Sequence, residues 1–151
     1  MNISQMLQPE NIQCLNQITD WEEAIRISVK PLYETGYVEE RYADEIINAT
    51  KRMGPYYVLT DDVALIHGRP EDGVIDSQIA ITVVREPVIF SPETFPARLL
   101  VTLAAEDANS HIETMQVLAH IFMDQEKINQ IINASNTEEI YNLFTQQPIE
   151  D

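Results

Sequence analysis

The middle of the chain places the tightest limit on its fold. Between Tyr56 and Leu103 the apolar residues fall in runs of strand length, at 56–60, 63–66, 78–84, 88–90 and 99–103, with no helix-length pattern between them. The clearest strand is Gln78-Ile79-Ala80-Ile81-Thr82-Val83-Val84. Helical patterns lie on both sides of this block. Asp20 is a good helix cap, and Glu23 three residues on completes a capping box. Ile25, Val29 and Leu32 then form one stripe, interrupted late by Pro31 and ended by Gly36. A second helix is expected over 39–53, with Tyr42, Ile46, Ile47, Ala49 and Thr50 inward and Gly54-Pro55 as its stop. From Asn109 the pattern is helical as far as Gln146, with breaks near Met123-Asp124 and at Asn136. Ahead of all this, a short helical turn ending at Pro9 and a strand at 12–15 are expected. Strands with helices before and after them imply a mixed sheet in an α/β sandwich. Where no helix intervenes, the strands of Leu59, Val63, Ile79 and Val88 are expected to be antiparallel neighbours. With 151 residues, no repeat and no linker, a single domain over 1–151 is the expectation.

Charge excludes some partners. With 25 acidic residues against 9 basic, the net charge is −16. Such a surface repels nucleic acid and anionic lipid, whose binding proteins cluster Lys and Arg. It steers basic partner proteins inward, or simply keeps the chain soluble. No apolar run reaches the roughly 20 residues that span a bilayer, and residues 1–10 lack the basic and apolar regions of a secretory signal. A cytoplasmic location is expected, with no direct membrane insertion. The one cysteine, Cys14, makes no intrachain disulfide and lies in an alternating stretch without the electropositive setting of a reactive thiol.

The three histidines are the side chains suited to nucleophilic or proton chemistry near neutral pH. His67 stands where a short apolar strand gives way to the loop Gly68-Arg69-Pro70-Glu71-Asp72-Gly73, a position from which a rigid scaffold presents a reactive group. If the backbone stays extended, Arg69 shares its face, and the guanidinium fork suits a phosphoryl oxygen. The plainer reading is a surface histidine beside an arginine that pairs with Glu71 and Asp72. On a helical wheel started at His111, Met115, Leu118 and Phe122 fall at roughly 40°, −20° and 20°, so His111 lies in line with the apolar stripe. It is either a hydrogen-bonded core histidine or a residue lining a site at a helix start, with Asn109 or Ser110 as cap. His120, at roughly 180°, faces solvent. Other chemistries fit poorly. His67, His111 and an acid from Asp61 or Asp62 make only an arbitrary zinc set. The four glycines form no phosphate-binding loop, and no serine has a nucleophile-elbow context. No cofactor is expected, and any phosphoryl group must arrive from elsewhere.

The stretch from Gly54-Pro55-Tyr56 through Ala64-Leu65-Ile66-His67-Gly68-Arg69-Pro70-Glu71 to Gly73-Val74 resembles the active-site segment of the mannitol/fructose-type enzyme IIA superfamily of the sugar phosphotransferase system. It is most similar to the ascorbate-type branch. The resemblance continues through Ala104-Ala105, His111 and the carboxy-terminal helices, over essentially the whole chain. It implies an α/β sandwich in which a single mixed sheet of about five strands is flanked by helices on both faces. It further implies that His67 is the phosphorylated nucleophile, that His111 is its phosphate-stabilising partner, and that Arg69 plays a supporting role. The implied donor is the phosphocarrier protein HPr. The implied acceptor is an enzyme IIB, often through a cysteine, with membrane enzyme IIC served indirectly; a homodimer is compatible with the same reading. The alternative within this resemblance is a non-transport regulatory module that binds a partner protein. Two positions depart from the pattern: Ile66 stands for a usual proline, leaving the backbone before the histidine freer, and Asp62 stands for a common glycine.

Overall fold

The computed structural model describes residues 3–107 and 112–146. Helix α1 (Ile3–Met6) leads directly into strand β1 (Leu7–Leu15), followed by helices α2 (Trp21–Glu34) and α3 (Arg41–Met53). Strands β2 (Val58–Thr60) and β3 (Asp62–His67) precede a single 3-10 turn (Pro70–Asp72) and strands β4 (Gln78–Val88) and β5 (Ala97–Ala104). Helices α4 (Ile112–Phe122), α5 (Gln125–Ile132) and α6 (Thr137–Thr145) follow.

The five strands form one mixed sheet in the order β1-β4-β5-β3-β2. The β1–β4 and β3–β5 pairs are parallel, and the β4–β5 and β2–β3 pairs are antiparallel. The sandwich expected from the residues is therefore present, but one inferred neighbourhood is not. Val63 and Ile79 belong to strands separated by β5, because β4 takes β1 and β5 as its partners. Val88 ends β4 instead of opening a new strand, and Phe90 lies beyond it. Pro9 stops no helix; it lies within β1, at the irregularity between Leu7 and Ile12 where the register shifts. That strand is at the sheet's edge, where a residue without an N–H is tolerated.

Each face of the sheet has its own core. Val63, Leu65, Ile79, Ile81, Leu99 and Val101 pack with Leu118, Ile121, Ile128, Ile140 and Phe144 from α4, α5 and α6. Ala64, Ile66, Ala80, Val84 and Leu100 pack with Ile25, Val29, Leu32, Tyr42 and Ile46 from α2 and α3. The alternation of β3 thus sends odd-numbered residues toward α4–α6 and even-numbered ones toward α2 and α3. On α4 the buried residues are Thr114, Leu118 and Ile121, a face turned away from Met115, which is partly exposed. The stripe inferred from the wheel was therefore off by part of a turn.

Three local devices make these elements from this sequence. Asp20 caps α2 as anticipated, its Oδ1 accepting from the Glu23 N–H at 2.9 Å. Pro31, inside α2, has no N–H for the Ile27 carbonyl, and the Gln13 side chain supplies that donor from β1 at 2.8 Å. The helix is thereby tied to the sheet at its own weak point. Asp62 has φ +71°, the left-handed region that explains a glycine there. Its carboxylate takes a two-bond grip from Arg98, Nε at 2.9 Å and Nη2 at 3.1 Å, and that pair offsets the strain. Ile66 is fully buried and in register with Thr102 on β5, so the ladder restrains the backbone where a proline ring otherwise would.

Candidate functional site

Strand β3 ends in His67, which is half-buried and in register with Leu103 on β5. Its ring Nδ1 lies 2.7 Å from the carbonyl oxygen of Leu65. A carbonyl only accepts, so Nδ1 carries the proton and donates, and Nε2 keeps its lone pair. The neighbouring residue of the same face thus chooses the tautomer. The Tyr56 ring stands edge-on to the imidazole, with centroids 5.4 Å apart and planes at 86°.

The peptide joining His67 to Gly68 is held by two tyrosines. The Tyr56 hydroxyl donates to the His67 carbonyl at 2.7 Å, and the Gly68 N–H donates to the Tyr42 hydroxyl at 2.9 Å. Tyr42 in turn donates to the Leu103 carbonyl at 2.9 Å. Burial raises the pKa of both phenols, most strongly for Tyr42, so both hydroxyls keep their protons at neutral pH. Gly68 is needed for closeness: a Cβ there would lie 3.1 Å from Asp72 Oδ2 and 3.2 Å from Tyr42 Cε1 and Ile46 Cγ1.

Arg69 is extended, at φ −89° and ψ 157°, and caps the 3-10 turn that Pro70 opens. No hydrogen bond or ion pair among the described residues joins it to His67. Its guanidinium sits 3.1 Å from Asp72 Oδ1 and 3.6 Å from Glu71, and its N–H donates to Asp72 Oδ2 at 2.8 Å. The arginine side chain is 70% exposed while Asp72 is buried, so the aspartate is an anchor and the free guanidinium N–H groups face solvent. His111 lies outside the described residues, as do Asn109 and Ser110. His120 is exposed in the last turn of α4, as its place on the wheel indicated. Among the described residues no group of three or more His, Cys, Asp and Glu is arranged to hold a metal ion.

The roles of Tyr42 and Tyr56 at the site are absent from the sequence reading, whereas the pairing of Arg69 with Glu71 and Asp72 is the one expected for the plainer reading of this loop. Tyr42 was read as an inward helix residue, and its polar tip was the signal that it needs a partner. Asp72 carries a testable consequence. Burial pushes its carboxyl up, but the N–H and guanidinium of Arg69, helped by Arg41, outweigh that and hold it below its usual range. A folded-state pKa below the unfolded one stabilises the fold above the unfolded value of about 4, and that stability is lost as pH falls through the folded pKa. Asp72→Asn is therefore expected to cost about 1 kcal/mol at pH 7, the difference between a charged and a neutral acceptor. In urea titrations the gap from the native protein narrows as pH drops toward 3. An equal gap at both pH values counts against the anchor.

Residues 5–147 match the family described as phosphoenolpyruvate-dependent sugar phosphotransferase system, EIIA 2. The chain belongs to that family. Its relatives include the ascorbate-specific phosphotransferase EIIA component of Shigella boydii, 33% identical over 138 residues, which make up 89% of each chain. The solution structure of the mannitol-specific cryptic phosphotransferase enzyme IIA of Escherichia coli superposes with a TM-score of 0.89 at 31% identity, covering 97% of this chain and all of that one. A mannitol enzyme IIA solved in complex with phosphorylated enzyme IIB, also from Escherichia coli, gives 0.79 at 26% identity over 93% and 99% of the two chains. The fold is that of these components, and the chain is a phosphotransferase-type enzyme IIA.

Proposed function

We propose that this chain is a cytoplasmic phosphocarrier, acting as a single enzyme IIA domain over residues 1–151. It takes a phosphoryl group from phospho-HPr on His67 and hands it to an enzyme IIB during uptake of ascorbate or a related sugar. The observation that carries this reading is the Nδ1–H bond to Leu65, which leaves Nε2 as a free nucleophile at the accessible end of a buried strand. Nε2 forms the new N–P bond while the bond from phosphorus to the donor's histidine breaks. Positive charge then developing on the imidazole is stabilised through Nδ1–H by the Leu65 carbonyl. Attack on phosphorus by the IIB side chain breaks the N–P bond and restores neutral His67.

Charge on the transferring oxygens calls for positioned donors more than for an acid or base. Arg69 suits that role because its outer N–H groups are exposed and its bond to Glu71 is long enough to give way to a phosphoryl oxygen, while Asp72 keeps its base in place. His111, which precedes α4 in sequence, is the second donor by resemblance. The likeness to an ascorbate-specific component supports the substrate class, and the mannitol IIA–IIB complex supports the acceptor. Incubation with phosphoenolpyruvate, enzyme I and HPr is expected to add one acid-labile, nitrogen-linked phosphoryl group per chain. A chain that stays unlabelled is instead a regulatory module that binds a partner without phosphorylation.

A further inference from the structure

The peptide unit that follows His67 is gripped at both ends. Its carbonyl accepts from Tyr56 and its N–H donates to Tyr42, and the two phenols come from different elements: Tyr42 from the first turn of α3, Tyr56 from the turn before β2. Rotation of a single peptide plane is the easiest way for a strand end to reorient, since it needs only ψ of one residue and φ of the next. Here that rotation would break two hydrogen bonds at once. It would also turn the peptide against Asp72, Tyr42 and Ile46, which already crowd the Gly68 Cα. Tyr42 does more than hold one end. By donating to Leu103, the register partner of His67, it ties the end of β3 to the end of β5.

We propose that Tyr42 and Tyr56 are paired positioning residues for phosphoryl transfer: their hydroxyls lock the His67–Gly68 peptide and so hold Nε2 of His67 on the line of attack. The two hydroxyls bond the backbone and not the imidazole, and Tyr56→Phe keeps the ring that stands edge-on to it. The pair sets the direction in which the His67 side chain leaves the strand, and the bond from Nδ1 to Leu65 can then fix the ring within that direction. This inference rests on the phosphocarrier reading and names two further residues for the same site.

The two phenols differ in a way that makes the test clean. Tyr42 is fully buried, so Tyr42→Phe strands the Gly68 N–H and the Leu103 carbonyl, and its effect mixes stability with positioning. Tyr56 is 37% exposed, and in Tyr56→Phe water can replace its bond to His67. Tyr56→Phe is expected to keep native stability and native KM for phospho-HPr while kcat falls about tenfold, as for a small misplacement of a reacting group. NMR of the ring nitrogens should show a single tautomer for His67 in the native chain, protonated at Nδ1, and a mixture in Tyr56→Phe and in Tyr42→Phe. Unchanged kcat together with an unchanged tautomer in Tyr56→Phe overturns the proposal. The spectra require no donor protein, so they separate the two readings. A native chain that takes no phosphate but shows a tyrosine-dependent tautomer removes the phosphocarrier reading and keeps the lock.

Discussion

His67→Ala is expected to reduce phosphoryl incorporation from phospho-HPr to background while leaving the fold in place. The loss is complete because a covalent carrier has no partial substitute for its nucleophile. His120 is exposed on a helix face, and Cys14 sits on edge strand β1, three strands from His67. The fold survives because His67 is half-buried at a strand end, and its one side-chain hydrogen bond among the described residues is worth about 1 kcal/mol. The measurement is acid-labile phosphate per chain, with far-UV circular dichroism and urea midpoint as controls. Label retained on a folded His67→Ala chain would overturn the assignment of the nucleophile. His111→Ala supplies the contrast: a donor lost from the transferring oxygens slows transfer by about a hundredfold, near 3 kcal/mol, without abolishing it.

The largest stability effect is expected at Phe144. Its side chain is fully buried in α6, which packs on β1 and shares a core with Ile128, Ile131 and Ile140. Phe144→Ala removes a ring from a close-packed interior that can relax only in part. The cost is about 3–5 kcal/mol from lost transfer energy and the cavity left behind. For a chain of this length that lowers Tm by roughly 10 °C. Urea unfolding at neutral pH should show the midpoint moving with little change in slope, since the surface exposed on unfolding is nearly the same. A loss below about 1 kcal/mol would mean that α6 is not docked as described. Phosphorylation per folded molecule should be unaffected, because β1 is at the far edge of the sheet from the strand that bears His67.

Much of this site was legible because its signals are local. An apolar run ending in His-Gly-Arg-Pro is a strand entering a loop, and the structure ends β3 at that histidine. The Asp20–Glu23 cap lies within one helical turn and was read correctly. The irregularity at Asp62 was visible as an aspartate where glycine is common, and its positive φ supplies the cause. The errors were equally physical. Pro9 was read as a helix stop because proline breaks helices, yet an edge strand accepts it as well. The α4 stripe differs because Met115, though apolar, is 37% exposed and lies to one side of the face formed by Thr114, Leu118 and Ile121.

By itself the sequence determined what lies within a few residues of each position: helix caps, strand and helix periods, the loop after His67, and a motif specific enough to name a family. Only the tertiary structure decided what lies across the sheet. The insertion of β5 between β3 and β4 depends on pairings far apart in the chain. So does the reach of Tyr42 to a carbonyl 61 residues away. Neither leaves a trace in neighbouring residues, because such contacts are selected by the packing of whole elements. At His67 both levels meet: its neighbours in sequence mark it as the candidate nucleophile, and folding brings Tyr42 and Tyr56 to the peptide that follows it.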